Sequence, residues 1–207
     1  PIISLVETVV QRRAPMTEYR VRVGSSRFGD ERIADLYGNV RLIEPRMTLT
    51  TKRLTYNMIT KTAKYSMGGH VVNDQTDLVS RNGYYNSETK MAFFRYEVKL
   101  VNPNYTLECD TLGYNMDTET SYFYGPTHIT TSDSKIYCES GWYNGKTEIS
   151  SFGKNTILDN PPQILYADSL YYEKKNGYGE AYYHFDWIDT SQKIILSGGK
   201  AIFFEKT

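Results

Sequence analysis

Leu107-Glu108-Cys109-Asp110-Thr111-Leu112-Gly113-Tyr114-Asn115-Met116-Asp117-Thr118-Glu119-Thr120-Ser121-Tyr122-Phe123 is one copy of a pattern that returns along the chain every 29 residues. Tyr114 has counterparts at Tyr56, Tyr85, Tyr143 and Tyr172. The next position reads Asn57, Asn86, Asn115 and Asn144, with Glu173 in the fifth copy. Three positions further on come Thr60, Thr89, Thr118 and Thr147. Apolar columns keep the same register: Leu49, Leu78, Leu107, Ile136, Leu165 and Ile194 form one, and Leu42, Val71, Leu100, Ile129, Leu158 and Trp187 a second. Tyr65, Phe94, Phe123 and Phe152 form a third. Several independent columns at one period mark a repeat architecture, in which each unit buries its apolar face against its neighbours.

The unit reads as β-structure. Val40 and Leu42 alternate with polar residues into a turn at Glu44-Pro45-Arg46, and Met47 and Leu49 alternate on the way out. Leu49 and Leu54 lie in opposite parities, as do Cys109 and Leu112, so a strand that stays apolar on one side must bulge or bend between them. A second turn, Tyr-Asn-x-x-Thr-Lys/Glu, suits a hairpin in which Asn tolerates a left-handed φ and bonds its own backbone. Each repeat is then two bent antiparallel strands. The expected class is all-β, an elongated, folded-over jelly roll of about a dozen strands in two facing layers.

A 58-residue alternation overlies the shorter period. One column reads Leu54, Gly83, Leu112, Gly141, Leu170 and Gly199, and at Gly83 and Gly141 the next residue is bulky, Tyr84 or Trp142. Residues 1–32 match the register poorly and read as a degenerate lead-in or cap. Within them Tyr19 to Val23 alternates like a strand, and Ser25, Ser26 and Gly29 resemble a turn. Residues 33–207 are expected to form a single repeat domain.

Composition narrows the function classes. Twenty-four basic residues balance twenty-four acidic ones among 207, so there is no global field to hold nucleic acid. No apolar run reaches the length of a membrane span, and Ile2 to Val10 is interrupted by Glu7. Pro at position 1 suggests a leader already removed. Cys109 and Cys138 occupy one column; equivalent residues two strands apart are separated by roughly 9.6 Å, beyond the ~7 Å Cα limit of a disulfide. They are expected as free interior thiols.

Candidates for chemistry are few. Asp110, Glu139 and Asp168 form a carboxylate column, whose roughly 10 Å spacing is too wide to share a metal ion and reaches the upper end of an inverting glycosidase pair. A solvated strand face accounts for them. His70 and His128 share a column two repeats apart, too distant for a common metal. Neither a catalytic role nor a cofactor is expected. The apolar columns read first as core, while two facing sheets can also part to leave a long apolar trough suited to an acyl chain.

The pattern Gly-x-Val, then Leu-x-Cys/Ala-Asp-x-Leu, then a polar turn leading to Ala-x-Phe/Tyr, resembles the repeats of the OstA-like family. It stands here as Gly38-Asn39-Val40, Leu107 to Tyr114, and Leu165-Tyr166-Ala167-Asp168-Ser169-Leu170, with Thr51-Lys52 and Ser80-Arg81 departing from the Cys/Ala-acid pair. The resemblance covers Ile33 to the end. It implies a periplasmic protein that shelters the acyl chains of lipopolysaccharide (lipid A) inside an elongated twisted β-jelly roll and passes them toward the outer membrane without chemistry of its own. It also implies partnership with other lipopolysaccharide-transport components and head-to-tail stacking of copies through open edge strands. The lining residues on this reading are Leu42, Leu49, Tyr65, Val71, Leu78, Phe94, Leu100, Leu107, Phe123, Ile129, Ile136 and Phe152. A closed-core structural repeat without ligand and a carbohydrate-active solenoid are the rivals.

Overall fold

The computed structural model describes the backbone of residues 18–26, 29–44, 47–73 and 75–204, and the side chains of 32–43, 47–73 and 75–204. Among these residues there is no α-helix, and the chain divides into two compact units, Pro1–Pro103 and Asn104–Thr207. The class is all-β, as the alternating columns require.

In the first unit, β1 (Glu18–Ser26) pairs antiparallel with β2 (Gly29–Glu44), and β2 with β3 (Met47–Asn57). Tyr19 to Val23 therefore is a strand, and the Ser26–Gly29 pair closes its hairpin. The next copy is cut into short pieces: β4 (Thr62–Tyr65), β5 (Gly69–Asn73), β6 (Thr76–Ser80) and β7 (Asn82–Asn86). Both β4 and β5 pair with β3, and both β6 and β7 pair with β8 (Met91–Val101). The second unit is an unbroken antiparallel meander of β9 (Thr106–Asn115), β10 (Thr120–Thr130), β11 (Lys135–Asn144), β12 (Ile149–Asn160), β13 (Gln163–Glu173), β14 (Tyr178–Asp189) and β15 (Ile194–Phe204).

The parity change has a physical cause in both partners of a hairpin. On β3, Lys52 and Arg53 both face out between buried Thr51 and buried Leu54, so the strand bends. The inserted residue sits on the neighbouring strand, where the register shifts between Tyr37 and Val40. The same shift follows Tyr124 on β10, opposite Asp110. Left-handed φ recurs at the bulges in one 29-residue register, Gly38 (97°), Tyr96 (63°), Gly125 (89°), Lys154 (58°) and Tyr183 (74°), and at two of them the next residue, Glu97 (53°) or Asn155 (55°), shares it. Bulges of this kind bend a strand and raise its twist.

The hairpin turns are Asx turns. The Oδ1 atoms of Asn57, Asn86, Asn115 and Asn144 each accept two backbone N–H groups, two and three residues on, at 2.9–3.0 Å. The left-handed residue is not the Asn but the one four positions later, Lys61, Lys90, Glu119 or Glu148. In the fifth copy Glu173, one methylene longer than Asn, makes no such cap, and its Oε2 accepts from Asn176 Nδ2 at 2.7 Å instead. There the chain forms a short 3-10 turn, Lys174–Asn176, ended by left-handed Gly177. Neighbouring turns are stitched by backbone bonds such as Ser87 N–H to Lys61 O (3.0 Å) and Gly145 N–H to Glu119 O (2.9 Å).

Candidate functional site

Cross-strand register turns the sequence columns into ladders. In the first unit Leu42 faces Leu49, Leu49 faces Val71, Val71 faces Leu78 and Leu78 faces Leu100. In the second unit the same rung runs Leu107, Ile129, Ile136, Leu158, Leu165, Trp187. Two columns that are seven residues apart in sequence are thus one apolar stripe. Side chains directly opposite are about 5 Å apart at Cβ, so each stripe is a continuous apolar surface.

A second rung lies nearer the hairpin turns. In the second unit it runs Leu112, Phe123, Gly141, Phe152, Leu170, Ala181. Phe123 and Phe152 stack at 6.3 Å with planes 6° apart, and Gly141 lies between them. A Cβ on Gly141 would come within 2.5 Å of the Ser151 carbonyl oxygen and 3.3 Å of the Phe123 ring. In the first unit Gly83 lies between Tyr65 and Phe94, and a Cβ there would enter the Tyr65 ring at 2.2 Å. At Gly83 the space of a side chain is thus taken by the Tyr65 ring, and at Gly141 chiefly by the neighbouring backbone with the Phe123 ring beside it. Tyr84, next to Gly83, points to the opposite face.

Of the twelve residues singled out as lining, all are buried except Ile136, which is half-buried. The two arms of the first unit face each other: Met47, Leu49 and Val71 on one side and Ala63, Tyr85, Ala92 and Phe94 on the other enclose a void of about 10 Å3. That space holds about one water. Within the interior Tyr65 donates or accepts a 2.6 Å hydrogen bond with Ser80 Oγ, and burial raises its phenol pKa against the opposing effect of that bond.

At the corner, where the strands bend, the interior is lined by a column the sequence reading passed over. Val40, Val98, Thr127 and Thr156 stand in one register, each 2% exposed or less. Val and Thr share a branched shape, so a column scored by polarity hides while one scored by shape shows. Val40 opposes Thr51, Thr127 opposes Cys109 and Cys138, and Thr156 opposes Ala167, all of the small-residue column. Cys109 and Cys138 flank Thr127 from two sides, are buried and are free thiols, as their two-strand separation dictates. Burial is the main cause that pushes Cys109 up to about 12 and Cys138 to about 11.

Asp110, Glu139 and Asp168 sit on alternate strands β9, β11 and β13, outside this interior. Asp110 accepts from Thr111 Oγ1 at 3.0 Å and Glu139 from Asn155 Nδ2 at 2.9 Å, so each is engaged locally. His70 Nε2 lies 2.8 Å from Asp77 Oδ2 across β5 and β6. No group of three metal-ligating side chains occurs among the described residues, and no described helix is long and apolar enough to cross a membrane.

No curated protein matches the sequence. Among solved structures, the chain is similar to LptH of Pseudomonas aeruginosa, described as the LptA-homologous periplasmic component of the lipopolysaccharide transport device. The two are 11% identical, with a TM-score of 0.45 over 63% of this chain and 95% of LptH. The profile of the OstA-like protein family matches twice in succession, over residues 25–110 and 106–199. Two consecutive matches that together cover most of the sequence show that this chain belongs to the OstA-like family.

Proposed function

We propose that this protein binds lipopolysaccharide in the periplasm and carries it toward the outer membrane, with the acyl chains of lipid A sheltered between the arms of its bent strands. The observation that carries the reading is the uninterrupted apolar rung, Leu107 through Trp187 in the second unit and Leu42 through Leu100 in the first, in a chain of the OstA-like family. The protein's part is physical. Apolar burial contributes roughly 25 cal/mol per Å2, so an interior of this kind lowers the cost of moving an acyl chain through water. The rung residues, with Tyr65, Phe94, Phe123 and Phe152, are the proposed lining.

Other transport components and further copies of the chain are the proposed partners. β15 pairs with β14 and leaves Ile195 (66%), Leu196 (54%) and Phe204 (73%) exposed, an edge on which another strand can add. Site-specific photocrosslinking in cells tests the reading. Crosslinkers at Phe94 and Phe123 are expected to capture lipopolysaccharide, while one at half-exposed Glu119 in the hairpin turn is not. A folded, periplasmic protein without adducts at either inward position overturns it.

A second reading draws on the void of only about 10 Å3 between the arms of the first unit. If the arms never part, the interior is a closed core and the protein is a structural repeat. The crosslinking experiment separates the two.

A further inference from the structure

The outer face of the first unit holds a concavity of about 620 Å3 where β4 ends and the chain leaves the sheet at Ser66. Arg53, Thr55, Lys64, Tyr84, Phe93 and Arg95 line it from positions that alternate with Leu54, Ala63, Tyr85, Ala92 and Phe94 of the core, and its floor reaches Tyr65 and Gly83 of the interior rung. Ser66 and Asn82 add a hydroxyl and an amide. Three cations converge and no carboxylate is in the lining. Among the described residues none of Arg53, Lys64 and Arg95 forms an ion pair; Arg53 lies 5.2 Å from the Tyr37 ring and Lys64 5.6 Å from the Tyr84 ring. Tyr84 and Phe93 lie 6.4 Å apart and tilted by 47°.

The repeat does not require these cations. In the second unit the register of Arg53 holds Thr111, Ser140 and Ser169, that of Lys64 holds Tyr122, Ser151 and Glu180, and that of Arg95 holds Tyr124, Gly153 and Tyr182. Their gathering in one hollow is therefore particular to this copy. One carboxylate borders the hollow, Asp35, whose Oδ1 accepts from the lining Thr55 Oγ1 at 2.8 Å; the three converging cations outnumber it, and an anion relieves their repulsion. Arginine's planar fork matches a phosphate through paired N–H donors. The ring faces suit the flat C–H face of a pyranose, and the amide and hydroxyls suit its hydroxyl groups. The volume lies within the range of small-molecule sites.

We propose that this hollow, which meets the apolar interior only at Tyr65 and Gly83, is a second binding site, for a phosphorylated saccharide. The shared chemistry is a phosphate on a sugar ring, whether it belongs to a lipid headgroup or to a free sugar phosphate.

The test uses ligands without acyl chains, so that its result does not depend on the lipid-carrying interior. Calorimetric titration of the full chain compares deacylated lipopolysaccharide oligosaccharide, the same oligosaccharide after phosphatase treatment, glucose 6-phosphate and inorganic phosphate. The phosphorylated oligosaccharide is expected to bind. Affinity should fall at least tenfold on dephosphorylation and about tenfold or more for each arginine lost in Arg53→Gln and Arg53→Gln/Arg95→Gln. Both arginines are exposed, and unchanged thermal unfolding reports that the variants fold; Lys146→Gln in the second unit should leave binding intact. Oligosaccharide binding much tighter than glucose 6-phosphate assigns the headgroup; equal binding assigns the free sugar phosphate. Absence of binding, an unaffected double variant, inorganic phosphate binding as tightly as either sugar, or an equally tight polyglutamate peptide overturns the proposal.

Discussion

The first unit breaks its strands where the second carries them through. β4 has four residues and β5, β6 and β7 five each, whereas β9 to β15 run for ten to twelve. Both have an extra residue at the corner, but they resolve it differently. In β10 the bulge at Gly125-Pro126 is absorbed and pairing with β9 and β11 resumes at Thr127. In the first unit Ser66-Met67-Gly68 leaves the sheet, held by Thr51 Oγ1 donating to Gly68 O at 2.7 Å and by Gly68 N–H donating to Arg81 O at 2.9 Å. The lifted segment opens the hollow beside Tyr84 and Arg95. Charge divides the units as well: residues 1–103 carry sixteen basic and ten acidic residues, and residues 104–207 eight and fourteen, giving +6 and −6. A neutral total thus conceals two oppositely charged halves, and a repeat frame fixes the core while leaving its outer face open to local specialisation.

Adding a methyl group to the ring-spacing glycines probes the difference most strongly. Gly141→Ala, whose Cβ would meet the Ser151 carbonyl at 2.5 Å, should destabilise the protein by about 3 kcal/mol. Gly83→Ala meets the Tyr65 ring, which can swing away at the loss of its bond to Ser80, and should cost about 1 kcal/mol. Urea denaturation measures both, and the reverse order would break the contrast between backbone obstruction and a movable ring.

The Asx turns give a smaller contrast. Asn144 accepts two backbone N–H groups and also donates from Nδ2 to Thr120 Oγ1 (2.9 Å) and Thr118 O (3.2 Å), whereas the recorded bonds of Asn57 are its two accepted ones. Asn144→Ala should therefore cost about 2 kcal/mol and Asn57→Ala about 1. Equal losses in the same denaturation experiment would show that the cross-turn bonds contribute nothing.

Titration gives the smallest effect and belongs to the second unit alone, since both cysteines lie there. Thiols pushed to about 12 and about 11 stay protonated in the fold while the unfolded chain ionises near its ordinary value. Their contribution is complete below the unfolded pKa and is lost as pH rises toward the folded values. Between pH 7 and 9 this amounts to roughly 0.5–1 kcal/mol per thiol. Removing both, as in Cys109→Ser/Cys138→Ala, should flatten that part of the stability profile. The native thiols should also react with a disulfide reagent at pH 8 far more slowly than after unfolding; comparable rates would contradict their burial.

Much of the frame was legible in the residues. The period located strands, Asx turns and bends, and strand spacing alone separated Cys109 from Cys138. The bulge was legible as a parity break but not as a position, because the strand that shows the break, β3, is not the strand that holds the inserted residue. Among the proposed lining residues burial could be anticipated from the columns, yet their union into one rung depends on register across strands, which no single strand encodes. The Val40, Val98, Thr127 and Thr156 column escaped notice because threonine reads as polar in a sequence and as a branched aliphatic shape in a packed corner.

What the sequence determined by itself is periodic: which residues alternate, where amide side chains cap turns, and that each strand must bend, since these follow from a chain's own two-residue pleat and local hydrogen bonding. Tertiary structure decided what lies between strands. Only there does Gly141 become the gap between Phe123 and Phe152, and only there do Arg53, Lys64 and Arg95 from three strands meet in one hollow. The physical reason is that side-chain volume and charge act through space across the ladder, at distances of about 5 Å between residues far apart along the chain.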